Sequence, residues 1–554
     1  MTNIKENENE RKIKEQQIIA EDTAGDVRGE WGSGFEFFLA CLGNMVGIGN
    51  VYRFPYLVFK NGGGAFLIPY LFFTFIMAIP IILMEATIGQ YSKRGPVECF
   101  GNMVPIFKGV GYAAVLTSAI LCTCFNMLIA WTMFYLGEVF NHKWTSCSND
   151  YNTDKCITIE NVARKVNRTD LKLSTEEFFD YYLLNKSNSM YEWSWPQRGL
   201  TIALFITTVI VVLALCQGVK SSGKVVYFTA LFPYVMLILL FFRGIFLEGA
   251  LEGIRFYVQP DISKLTDISI WMQALVALFY SLGVGMGCMI VYGSYNRFHN
   301  NLVRDAVLVV FGDVFTSMLS GFVVFSMIGY VANVVKKPVQ EVVQNGRGLA
   351  FTVILSGLST LPGALFWNAC FFFGLFTLGI DSQFAFVETV TTYFYDRGIV
   401  AGNGPKHILV STLCGVALFM TSLPFATRPG IYLFDMYEIY GAGVPVMTIA
   451  IFECILIGYV YGRASNFPRN ALKELIEDSF NSTGRIFNTD APWFAFFWPW
   501  IIAVSPVCCI PIGIVQYLRK NRRQPFSKII HTGMRSTTRY HRNALKSGEF
   551  KTNK

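Results

Sequence analysis

Residues 44–56 read NMVGIGNVYRFPY. The stretch sits inside an apolar run long enough to cross a membrane, yet it carries Gly47, Gly49, Asn44, Asn50 and Arg53. A glycine costs a helix about 1 kcal/mol relative to alanine. An ionisable side chain inside a span is costly and usually tied to function. In hydrocarbon every backbone N–H and C=O must be paired, so irregular backbone survives only where it lines a cavity. The stretch therefore predicts a helix deliberately interrupted near mid-membrane. Residues 281–296, SLGVGMGCMIVYGSYN, repeat the pattern with glycines at 283, 285 and 287.

The rest of the chain places these stretches in a polytopic membrane protein. Of its 554 residues 53% are hydrophobic and 16% aromatic, while only 15% are charged; soluble domains carry about 25% charged residues. Taking about 20 apolar residues per span, eleven candidates fall near 34–56, 64–88, 110–140, 198–216, 224–246, 270–295, 305–333, 362–395, 407–424, 435–461 and 494–518. Residues 1–32 are polar with no hydrophobic core of a signal peptide, which predicts a cytosolic N-terminal tail. After three spans from such a start, the long loop 141–196 is extracellular. It holds Cys147 and Cys156, free to form a disulfide in oxidising surroundings, and the glycosylation sequons at Asn167 and Asn185. A third sequon, at Asn481, falls on the side assigned to the cytosol and is read as chance.

The organisation expected is thus an N-terminal tail, a ten-helix core over 33–462, a linker with the final segment over 463–518, and a tail over 519–554. That tail has eleven Lys/Arg against one acidic residue, Glu549. By the positive-inside rule it is cytosolic, and it suits anionic plasma-membrane lipids as a partner. No nucleotide, redox or nucleic-acid-binding motif appears, so an enzyme is not expected. Interrupted helices in the first and sixth spans, in corresponding halves, point to a secondary transporter built on inverted repeats. Helix packing alone would explain the glycines but not Asn50, Arg53 and Asn296 at similar depth.

Several segments carry a resemblance. GNVYRFPYLVFKNGGGAFLIPY, QYSKRGP, SYNRFHNN and LGIDSQF resemble the neurotransmitter:sodium symporters, the family of GABA, glycine, betaine and monoamine transporters, over about residues 28–462. The resemblance implies an all-α, leucine-transporter-like fold of 5+5 inverted-repeat helices, with 11–12 spans and helices 1 and 6 broken. It also implies two sodium ions. One is held by Gly43, Val46, Leu378, Asp381 and Ser382, the other by Met45, Asn50, Ser281 and Asp313. The oxygen donors at these positions suit hard cations. Substrate contacts map to Gly47, Phe125, Tyr280, Gly285, Met286, Gln383 and Phe384. The outer gate maps to Arg53 and Asp435 with Tyr280 as lid, and the inner gate to Arg28, Trp31 and Asp396. Glu85 reads as a hydrogen-bonding strut between helices.

The departures from the family pattern are informative. Its anion site uses a tyrosine, two serines, a glutamine and an asparagine. Here Tyr70, Ser281 and Ser317 remain, but Ala277 and Asp313 stand for the glutamine and asparagine. A fixed carboxylate repels chloride by about 4 kcal/mol at 4 Å and an effective dielectric of 20, so chloride dependence is expected to be weak or absent. Monoamine carriers have an aspartate where this chain has Gly47, and amino-acid carriers a tyrosine where it has Phe125. Neither charged handle for substrate is present. A quaternary ammonium read by aromatic faces and a carboxylate solute such as GABA or betaine, read by sodium and backbone amides, both stay open. The family has twelve spans, and the final segment here resembles its twelfth as well as its eleventh. The expectation is a sodium-coupled symporter of a small neurotransmitter- or osmolyte-type solute at the plasma membrane. The alternative is a non-transporting receptor or scaffold.

Overall fold

A computed structural model describes residues 30–162, 172–216, 218–297, 300–342, 349–398, 405–457 and 493–521. Arg28, Asn167, Asn481 and nearly all of the basic tail and linker lie outside these residues. A helix occupies each of the eleven expected spans. Among the described residues eight helices are long and apolar enough to cross a membrane, or nine when the first, bent pair is counted as one.

That first span is two helices, α1 (Gly34–Met45) and α2 (Ile48–Lys60), bent by 42° at Val46–Gly47. Next come α3 (Gly64–Phe73) and α4 (Ile79–Ser92), joined through a π-helical turn over Thr74–Ala78. Pro80 follows that turn; its missing N–H and its ring explain the widened turn before it. The third, fourth and fifth spans are α5 (Lys108–Glu138), α6 (Arg198–Leu215) and the pair α7 (Val219–Thr229) and α8 (Phe232–Ile245). The sixth is α9 (Ile268–Leu282) and α10 (Cys288–Ser294). Between them Gly283, Gly285 and Gly287 have φ of +66°, +70° and +77°, the left-handed region that favours glycine.

The second half contains α11 (Leu302–Val335), α12 (Ala364–Asp396) and α13 (Pro405–Ser422). The tenth span starts at Gly430, earlier than expected, as α14 (Gly430–Ala442), and continues after Gly443 as α15 (Val444–Ile455). Pro445 near the start of α15 explains that interruption. Last is α16 (Trp493–Lys520), which packs on α5. Gly109 and Gly513 let those two backbones touch: a Cβ on Gly513 would lie 2.7 Å from the Gly109 Cα.

The loop over 141–196 is held as predicted by a Cys147–Cys156 disulfide, with Cα atoms 5.7 Å apart. A two-residue parallel pair joins β1 (Cys156–Ile157) to β2 (Lys172–Leu173). The loop docks through aromatic side chains. The Trp144 indole donates to Ser359 Oγ (3.0 Å) and packs on Tyr135 and Phe178, while Tyr135 stacks on Phe372 at 4.3 Å. Asn185 is exposed, and its carbonyl oxygen accepts from Arg428.

Candidate functional site

The break at Val46–Gly47 leaves Asn50 at the third position of α2. Its Oδ1 accepts the Gly47 N–H (3.2 Å). Its Nδ2 donates to Asp313 Oδ1 on α11 (2.7 Å) and to Ser317 Oγ (3.0 Å). The Ser281 hydroxyl, on α9, lies 2.8 Å from Asp313 Oδ1 and 3.3 Å from Asn50 Oδ1. Four of the residues expected around one ion or its anion thus meet. Asp313 is fully buried, and its Oδ2 has no hydrogen-bond partner among the described residues. An orphaned carboxylate oxygen in such a place is costly unless a cation faces it. Tyr70 OH reaches Ser317 Oγ at 3.4 Å, and Ala277 lines the same cavity with a methyl group. The hydroxyls of the anion pattern therefore gather round a carboxylate.

A second cluster lies where α1 approaches α12. Ser382 Oγ donates to the Asn44 carbonyl (3.0 Å). Asp381 Oδ1 accepts from Thr229 Oγ on α7 (2.5 Å), while Oδ2 is buried without a partner among the described residues. That free oxygen faces Gly43: a Cβ there would lie 2.7 Å from it, and a Cβ on Gly47 would lie 2.7 Å from Ser382 Oγ. Glycine at both positions allows the approach. Val46 caps α1 with ψ of 80°, turning its carbonyl out of the helical pattern. Leu378 is one turn before Ser382 on α12, and Met45 lines the central cavity. Among the described residues no group of three or more His, Cys, Asp or Glu could hold a metal. The donors here are amide, hydroxyl, carbonyl and single carboxylate oxygens, suited to an alkali cation rather than a transition metal.

Between the two clusters is a cavity of about 40 Å³, lined among others by Gly47, Gly49, Phe125, Tyr280, Ser382 and Phe386. Phe125 and Phe386 meet edge to face, with centroids 5.7 Å apart. Of the substrate positions expected, Gly47, Phe125 and Tyr280 line this cavity. The other four are not in its wall. The Gln383 amide donates to the Cys122 carbonyl and Sγ, both at 3.1 Å. Gly285 N–H donates to Glu85 Oε1 (2.7 Å), the strut anticipated for that residue. The Met286 carbonyl accepts from Ser118 Oγ (2.5 Å), and Phe384 is buried elsewhere. Helical phase explains the exchange of Phe384 for Phe386. Ser382 faces the cavity, position 386 follows it by four residues on the same face, and 384 points about 200° away.

At the mouth, the Arg53 guanidinium lies 4.3 Å above the Tyr280 ring. A smaller pocket continues the cavity past Gly49, Arg53, Phe125 and Tyr280, and the carboxylate in its wall is Glu438. Asp435, the expected partner of Arg53, lies one turn earlier on α14 and is not among the residues lining that pocket. Spacing on a helix puts residues three apart on one face but does not say which is deeper, so the sequence alone missed Glu438. At the opposite end Trp31 is buried. Its indole donates to the Tyr292 carbonyl (3.1 Å) and its amide to the Tyr295 carbonyl (3.2 Å). Asp396 accepts from Gly95 N–H (2.6 Å) and lies 3.6 Å from Arg94.

Residues 28–522 match the sodium:neurotransmitter symporter family. The chain is similar to the sodium- and chloride-dependent GABA transporter 2 of Rattus norvegicus, 34% identical over 525 residues, covering 89% of this chain and 87% of that protein. It is similar also to the protein of the same name from Homo sapiens, 36% identical over 488 residues, covering 87% and 79% of the two chains. The chain belongs to the sodium:neurotransmitter symporter family and is a multi-pass plasma-membrane transporter, not an enzyme.

Proposed function

We propose that this chain carries a small neurotransmitter- or osmolyte-type solute across the plasma membrane together with two sodium ions, and does so without chloride. The observation that carries the reading is Asp313 Oδ1 held by Asn50 and Ser281, beside the Tyr70–Ser317 pair, with Oδ2 left open. The carboxylate takes the role of the anion that balances sodium, and Ala277 removes a donor that chloride would need. The first ion uses Met45, Asn50, Ser281 and Asp313; the second uses Gly43, Val46, Leu378, Asp381 and Ser382.

The substrate cavity has aromatic walls at Phe125, Tyr280 and Phe386, and no carboxylate lines it among the described residues. Such walls suit a quaternary ammonium or amine-bearing end through cation–π contact, with a carboxylate, where the solute has one, turned toward sodium. GABA, betaine and choline-like solutes meet that description. Outer closure brings Arg53 to Glu438 over Tyr280; inner closure uses Trp31, with Asp396 as acidic partner.

The test is two-electrode recording from oocytes expressing the chain, perfused with GABA, betaine, choline, acetylcholine, glycine and proline. Each solute is applied with and without sodium and with chloride replaced by gluconate. A sodium-dependent inward current that persists in gluconate supports the reading. A current that vanishes in gluconate removes Asp313 as built-in anion. Silence across the panel from protein shown at the surface favours the receptor or scaffold role.

A further inference from the structure

We propose that Thr229 is a positioning residue for the second sodium ion, fixing the rotamer of Asp381 from the fifth span. This rests on the assignment of Asp381 to that ion. Three observations carry it. Thr229 is the last residue of α7, where the helix stops before α8 begins at Phe232. Its hydroxyl, in a buried side chain, lies 2.5 Å from Asp381 Oδ1. The other carboxylate oxygen, Oδ2, is buried, without a partner among the described residues, and faces Gly43 across the α1 break.

A carboxylate on a helix interior can rotate about χ2, a broad and nearly two-fold torsion. One donor on Oδ1 removes that freedom and commits Oδ2 to the side of α1 where the expected carbonyls of Gly43 and Val46 lie. The hydroxyl has a second acceptor within reach, the Val225 carbonyl of its own helix at 3.1 Å. A single O–H satisfies one acceptor at a time. Thr229 can therefore release Asp381 without leaving its hydrogen unpaired, and the release is felt at the joint between α7 and α8. No charge is created or lost in the exchange. Sodium affinity follows from the orientation of one oxygen, and that orientation from a neutral residue on a different span.

The experiment uses the full chain, purified in detergent, with sodium itself as the probe. Thermal unfolding is followed while NaCl replaces KCl at constant ionic strength, since a ligand that binds only the folded state raises the midpoint by mass action. Thr229→Val keeps the shape and removes the hydroxyl; Thr229→Ser keeps the hydroxyl. A hydrogen bond to a charged group is worth about 1.5–3 kcal/mol. Thr229→Val is therefore expected to raise the sodium concentration for half-maximal stabilisation about tenfold or more, and to lower the midpoint in KCl as well, because Asp381 Oδ1 loses its donor in the sodium-free protein too. Thr229→Ser is expected to restore the sodium response. A Thr229→Val protein with the wild-type sodium response overturns the proposal, as does a Thr229→Ser protein as impaired as Thr229→Val. If Thr229→Val does not fold, Thr229→Ala against Thr229→Ser gives the same decision. Asp381→Asn separates the two levels. An unaltered sodium response in that variant removes the second-ion assignment itself, whereas a weakened one with normal Thr229 variants removes only the role of Thr229.

Discussion

The first and sixth spans are both interrupted, but they are held open by different means. At Val46–Gly47 the break is two residues long and no residue adopts a left-handed φ; the Gly47 N–H is shared between the Asn50 side chain and the Met45 carbonyl. At 283–287 three left-handed glycines turn the chain, and the Gly285 N–H is taken by Glu85 from another span. The first break is thus maintained by the same side chains proposed to bind ions, the sixth by backbone conformation and a strut that touches neither cluster. On that assignment, ligand occupancy would act directly on one and only through packing on the other.

The sharpest way to break this contrast is Asp381→Ala. Removing the one carboxylate that the described residues place in the second cluster is expected to cut sodium-driven current about 100-fold or more, the scale of a lost buried charge partner, while surface biotinylation shows normal amounts of protein. Retained current would sever the first break from sodium. Gly285→Ala attacks the other side. A Cβ there meets the Val446 carbonyl at 2.9 Å at a φ of +70°, a conformation that costs other residues about 1–2 kcal/mol. The expected result is loss of surface protein and a lower thermal midpoint. Gly49→Ala has room, 3.6 Å from Tyr280, and is expected to fold and shift only the half-saturating substrate concentration.

The two breaks meet at the mouth, where Arg53 follows the first and Tyr280 precedes the second. Glu438→Gln is expected to reduce uptake about tenfold and Asp435→Asn by less than about threefold, consistent with losing a largely desolvated charge pair against a more peripheral one. Equal effects would give both carboxylates a part in the gate. A smaller change is expected from Asp313→Asn, alone or with Ala277→Gln. Replacing chloride with gluconate is then expected to lower current measurably, where the native chain is expected to be indifferent. An unchanged gluconate profile in the double variant would detach the carboxylate from anion replacement.

What the sequence disclosed and withheld follows the same division. Both breaks were legible because glycine inside an apolar run has few other uses, and Asn50, Ser281 and Asp313, brought together by the family resemblance alone, do converge. The disulfide was legible from two cysteines in one polar loop. Lateral phase was not. Phe384 and Phe386 are equally aromatic, and only the direction of Ser382 on α12 picks the second. Depth was not legible either, since Asp435 and Glu438 share a face. Gln383 looked available because its partner, Cys122, lies 261 positions away in the chain. Thr229 left no signal at all; a lone threonine at a helix end gains meaning only from the carboxylate opposite.

Asp313 has a consequence for the energetics of accumulation. An anion that travels with sodium cancels part of the charge moved in each cycle, whereas a carboxylate built into α11 stays with the protein. On the proposed stoichiometry, two sodium ions and a zwitterion would carry two net charges inward rather than one. Each charge is driven by about 2.3 kcal/mol per 100 mV of membrane potential. On the proposed role of Asp313, the chain would trade a chloride gradient for steeper dependence on voltage, its uptake set by the electrical state of the cell and not by the halide outside it.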